Sequence, residues 1–220
     1  MSFMNYASDI VAFSGDAGSS NGLNSRFSRM KGVVFTEFLE LAEQRFGLEV
    51  VDRIIQQSHL QSDGAYTSVG TYDDGELLQL VTHLSRASGI PVPTLVKTFG
   101  KHLFNTFAAA YPHLWKGIRS APDFLSKVEG FIHMEVQKLY PDAKLPRIEF
   151  TELEEETWEL RYTSTRPFAD LAAGLIEACI EYFGEEISVL RENIGHQDGT
   201  SARFLLQKQT KALSCRTVMC

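Results

Sequence analysis

The apolar residues of this chain first change their spacing near residue 145, and that change sets the fold class. From Met30 to Tyr140 they recur three and four residues apart; beyond Pro146 come two β-prone runs, one helical run and two more strands. A helix face repeats at 3.6 residues and a strand face at two. Helices are expected from Met30 to Gly47 and over 48–58, 73–88, 93–110 and 122–140. Gly47 and Gly89 act as stops, Pro122 lies near a first turn and Pro141 beyond an end. Ile148–Leu153 and Thr157–Thr165 flank the acidic turn Glu154-Glu155-Glu156 as a hairpin. A helix over 166–183 stops at Gly184, and "EEISVLREN" and "ARFLLQK" supply two strands around the turn "GHQDGTS". This segregation predicts an α+β fold: an N-terminal helical subdomain followed by a four-stranded antiparallel sheet with a long inserted helix.

The periodic body is bounded at 30–208. Residues 1–29 include the Gly/Ser/Asn-rich "SGDAGSSNGLNSRFSR" and are expected to be a disordered extension or a tag, with Met30 a candidate start. Residues 209–220 read as a C-terminal tail. A net charge of −7 leaves no basic footprint for nucleic acid. No apolar run approaches the roughly 18 residues that a membrane helix needs, and the start lacks a signal-peptide pattern. Cys179, Cys215 and Cys220 show no metal-like spacing. A reduced, cytoplasmic protein that engages neither nucleic acid nor membrane is expected.

Two features carry chemistry. On the helix over 122–140, His133 sits at the edge of the apolar stripe Leu125, Val128, Ile132, Val136, Leu139, at about 100° per residue. It reads either as a half-buried histidine bonded to a neighbour or as an axial ligand to a buried metal cofactor. Further on, "LRYTSTRPF" places Tyr162, Ser164 and Arg166 two residues apart at the end of a strand. Strand alternation would put all three on one face. They read either as a solvated sheet face or as a carboxylate clamp, since Arg bonds carboxylates bidentately and hydroxyls complete the shell. A planar iron macrocycle with one protein ligand and two propionates would use both features.

From Met30 to about Gln207 the chain resembles an H-NOX domain, the haem nitric oxide/oxygen-binding domain of bacterial sensors and of soluble guanylate cyclase. The resemblance rests on "MKG" at the first helix, "FIHMEVQKLYPDAKLP", the Y-x-S-x-R motif, and "GLIEACIEYFGEEISV" after it, in that order. It implies haem b (iron protoporphyrin IX) between the helical subdomain and the sheet. His133 would be the proximal ligand, Tyr162, Ser164 and Arg166 would hold the propionates, and Pro146 and Val34 would bend the macrocycle. Gly100 matches a small residue packed near the proximal histidine. Oxygen-binding members carry a distal tyrosine where this chain has Leu171, supported by residues that match Phe38 and Leu103. With Val34, Phe107 and Leu175 nearby, the pocket is expected to be apolar.

The resemblance therefore implies a gas sensor, not an enzyme, that takes NO and CO as ligands and excludes O₂. It further implies a separate partner, a sensor histidine kinase or a cyclic-di-GMP enzyme. Some relatives carry a zinc site of three cysteines and a histidine; here Ala169, Ile194 and Ala202 stand at those positions with only His196 left, so that role does not carry over. Rival readings are a haem enzyme of peroxidase type, with His83 or His102 as the distal group, and a haem-free module for an apolar ligand.

Overall fold

A computed structural model describes residues 29–139, 143–194 and 199–209. The expectations for residues 1–28, for the helix end at Tyr140 and Pro141, for His196 and for Cys215 and Cys220 lie outside the described residues. The helical subdomain opens with a short strand. β1 (Arg29–Lys31) pairs antiparallel with β2 (Thr71–Asp73), with Met30 opposite Tyr72. Helix α1 therefore begins at Gly32, not at Met30, and runs Gly32–Phe46. Gly32 is required there, because a Cβ would lie 1.9 Å from the Thr67 carbonyl oxygen.

Helices α2 (Leu48–Gln57), α3 (Asp74–Ser88) and α4 (Val92–Ala110) follow. The Asp73 side chain caps α3 by accepting from the Gly75 N–H at 2.8 Å. The stretch expected as one helix over 122–140 is instead α5 (Ala121–Ser126), a π-helical turn (Val128–Ile132) and α6 (His133–Leu139). The Ile132 and His133 N–H groups reach back five residues, to Lys127 O and Val128 O. One extra residue is thus accommodated just before His133.

The sheet orders β3 (Arg147–Glu154), β4 (Thr157–Thr163), β6 (Ser201–Lys208) and β5 (Ile187–Asn193), all antiparallel. The hairpin turns at Glu155–Glu156, where Glu156 takes a φ of 60°. Helix α7 (Ala169–Tyr182) lies between β4 and β5 in the chain. Strand β4 stops two residues before the expected Thr165, and α7 starts three residues after the expected 166. Residues 164–168 form a loop, pinned by Ser164 N–H to Thr200 O and Ala169 N–H to Gly199 O.

Two apolar clusters fill the molecule. One joins α1 to α4 through Phe35, Phe38, Ile54, Leu80, Phe99 and Leu103. The other packs the end of α4, α5 and α7 on the sheet through Phe104, Phe124, Ile176, Leu160, Phe204 and Leu206. Leu175 packs against both clusters. Helices α4 and α7 cross where Gly100 meets Gly174, and added Cβ atoms there would lie 2.3 Å from Leu171 O and 2.0 Å from Lys97 O. Among the described residues, no helix is long and apolar enough to cross a membrane.

Candidate functional site

His133 opens α6 directly after the π-helical turn, with its side chain about 15% exposed. Its Nδ1 lies 3.0 Å from Glu129 Oε2, and the same oxygen accepts the Ile148 N–H at 3.0 Å. An ionised carboxylate only accepts, so Nδ1 carries the proton and Nε2 keeps its lone pair. Burial pushes the His133 pKa below the ordinary histidine range, with the Glu129 bond working against that shift. Nε2 has no hydrogen bond among the described residues. A half-buried histidine bonded to a neighbour and an imidazole ready to ligate are here the same arrangement. Nothing in the expected stripe pointed to Glu129, although its i,i+4 spacing from His133 was a usable signal.

Tyr162 is buried on the inner face of β4, opposite Ile148 on β3 and Ala202 on β6. Its phenol is held by the Ser164 hydroxyl and the Phe168 backbone, and burial pushes its pKa up. Strand alternation does not gather the other two residues, because Ser164 and Arg166 lie in the loop after β4. The loop gathers them: Ser164 Oγ accepts the Arg166 N–H at 3.1 Å. The Arg166 guanidinium is buried, with Nε 2.7 Å from Asp74 Oδ2, Nη1 2.7 Å from Lys144 O and Nη2 bonded to Arg29 O. A solvated sheet face is excluded for Tyr162 and Arg166. Asp74, in the first turn of α3, is the counter-ion that a buried guanidinium needs.

The two features are connected. Ile148 stands opposite Tyr162 in the sheet register, and its N–H bonds the carboxylate that holds His133. Pro146 lies in the segment 143–146 that leads into β3. Phe38 and Leu103 belong to the helical cluster, and Val34, Phe107, Leu171 and Leu175 pack half-buried against it. The six apolar candidates thus share one cluster. The nearest neighbours of Gly100 belong to α7, at Leu171, Gly174 and Leu175. At the positions of the relatives' zinc ligands, Ala169 and Ala202 are buried and Ile194 is exposed.

Among the described residues no three His, Cys, Asp or Glu side chains gather to hold a metal ion. A metal at His133 would therefore draw its remaining ligands from a cofactor. The donor set fits a haem: one neutral imidazole with an unbonded Nε2, and on the neighbouring strand and loop a phenol and hydroxyl in contact, with the hydroxyl bonded to the backbone of Arg166, whose guanidinium is bonded to Asp74 and to the Lys144 and Arg29 carbonyls.

The family model described as haem-NO-binding matches residues 31–191. Comparison with curated proteins gave no match. The fold is similar to the Fe(II) unliganded H-NOX protein from K. algicida, with a TM-score of 0.78, 39% identity and coverage of 82% of this chain and 97% of that one. It is similar to the H-NOX from Shewanella woodyi in the Fe(II)CO ligation state, with a TM-score of 0.72, 42% identity and coverage of 84% and 98%. An H-NOX protein from S. oneidensis in the Fe(II)NO ligation state matches with a TM-score of 0.75, 25% identity and coverage of 82% and 100%.

Proposed function

The chain belongs to the haem-NO-binding (H-NOX) family of haem-binding gas-sensor domains, and we propose that it is a cytoplasmic sensor that binds NO and CO at ferrous haem b, excludes O₂ and signals to a separate partner protein. The observation that carries this reading is the His133 imidazole, neutral, half-buried and unbonded at Nε2 among the described residues. His133 would hold the iron, and Tyr162, Ser164 and Arg166 would hold the propionates. When bound, the haem supplies a ferrous iron that takes a diatomic gas.

Ligand choice would follow from the apolar candidates of the helical cluster. Phe38, Leu103, Phe107, Leu171 and Leu175 share one apolar cluster and offer no side-chain hydrogen-bond donor, and by the family resemblance Leu171 would stand where oxygen-binding members carry a donor tyrosine. Polarised dioxygen needs such a donor far more than NO or CO does. Val34 and Pro146 would press on the ring from the two subdomains.

Signalling follows from how His133 is mounted. The imidazole joins a π-helical turn to α6, and Glu129 ties that turn to β3. Loss of the Nε2 anchor would leave α6 free to shift against the sheet. The seam between helical and sheet subdomains would move with it, and a sensor histidine kinase or a cyclic-di-GMP enzyme would read the changed surface. Such coupling requires that the gas bind the two states with different affinity.

Absorbance spectra of the haem-loaded, reduced protein test the reading. We expect five-coordinate ferrous haem that stays unliganded in air and changes with NO and CO, and a His133→Gly variant that loses the proximal bond. A stable oxy spectrum would defeat the O₂ exclusion. Protein that stays colourless when supplied with haem would defeat the sensor reading itself. A peroxidase role would need a free distal acid–base group; His102 is bonded to Glu37 at 3.0 Å, and peroxide turnover is expected to be absent.

A further inference from the structure

We propose that Glu129 is a positioning residue for the proximal ligand: its carboxylate sets the tautomer and orientation of His133 and strengthens the imidazole as a donor to iron. This rests on the haem reading above and goes beyond it, because it assigns the strength of the proximal bond to a residue of the helix itself.

One oxygen does two things. Glu129 Oε2 lies 3.0 Å from His133 Nδ1 and accepts the Ile148 backbone N–H at 3.0 Å. The backbone bond fixes the carboxylate relative to β3, so the carboxylate in turn fixes the ring relative to the sheet. The helix geometry supports the arrangement. A π-helical turn over Val128–Ile132 widens the spiral just where Glu129 passes one turn before His133. Gly130, between them, meets no other atom within 4 Å of its Cβ position, so the widened turn is uncrowded on that side.

The plain alternative is a surface pair at i,i+4 spacing, since the Glu129 side chain is half exposed. Such a pair would affect helix stability slightly and nothing else. Two features separate the readings. The pair includes a backbone donor from another element, and it occupies the ring nitrogen opposite the one that would ligate. A ligating histidine that gives its other N–H to a carboxylate becomes a more basic ligand. Loss of the carboxylate should therefore weaken the iron–histidine bond and favour the ferrous state.

The experiment uses haem-loaded full chain with Glu129→Gln and Glu129→Ala. The readouts are the ferrous iron–histidine stretching frequency by resonance Raman, the ferric/ferrous midpoint potential and the rate of haem transfer to apomyoglobin. We expect the frequency to fall and the potential to rise in both variants, more in Ala than in Gln, which keeps an acceptor for Nδ1–H and Ile148. Haem transfer should accelerate about 10-fold or more in the Ala variant. A wild-type frequency and potential in both variants, with His133 still bound, would overturn the proposal and leave the sensor reading intact. If Glu129→Ala fails to fold, Glu129→Gln decides alone. If wild-type protein takes up no haem, or His133→Gly leaves the ferrous spectrum unchanged, the sensor reading falls and this proposal falls with it.

Discussion

At the scale of single residues, burial and neighbouring charge decide reactivity. Cys179 is fully buried in α7, and burial pushes its thiol far above the ordinary cysteine range. The thiolate is the nucleophile, so Cys179 is expected to resist alkylation in folded protein and to label only on unfolding, as peptide mass spectrometry would show. Glu159 carries the opposite shift. Arg161 and Arg203 bond its carboxylate and hold its pKa below the usual value of 4.5. The folded state then binds fewer protons than the unfolded state, so this contribution is fully present above pH 4.5 and is lost as pH falls through the lowered value. Glu159→Gln should flatten the acid side of a plot of urea midpoint against pH. An unchanged slope would mean that the two arginines do not stabilise the ionised form.

At the scale of elements, α4 and α7 cross at a close backbone joint. Gly100 and Gly174 let the backbones touch, and Gly174 Cα is 3.1 Å from the place of a Cβ on Gly100. Gly174→Ala is expected to push the helices apart and cost about 1–3 kcal/mol, as overpacking in a close-packed interior does. Urea unfolding checks it; a variant as stable as wild type would show that the crossing has slack. Most element positions were legible from spacing: the helices on 48–57, 74–88 and 92–110 and the strands β3 to β6 lie close to where periodicity put them. The π-helical turn was not, because it changes one residue of register inside an otherwise regular apolar stripe. Strand β1 was not either, because three residues make no period, and its pairing comes from β2, 40 to 44 positions away.

At the scale of the whole molecule, Arg166 is the bolt. It reaches from the loop after β4 to Asp74 at the start of α3, 92 positions away, and to carbonyls at Arg29 and Lys144. Arg166→Met leaves Asp74 unpaired in a mostly buried place and is expected to cost about 3–5 kcal/mol. A partner substitution, Asp74→Asn, should recover part of that loss in a double-mutant cycle by urea unfolding. If the two losses simply add, the ion pair is not what joins the subdomains.

Local spacing was enough to read the α+β order, the helix on which His133 rides, and the motif Tyr162–Ser164–Arg166, because periodicity and short motifs are properties of neighbouring residues. Only the folded chain decided that a loop, not strand alternation, gathers that motif, that Asp74 answers Arg166, that Gly100 abuts α7, and that Glu129 holds His133 against Ile148. Each of those facts depends on where a distant backbone passes. Buried charges, close glycines and shared acceptors take their partners from three-dimensional proximity, which spacing along a single chain does not encode.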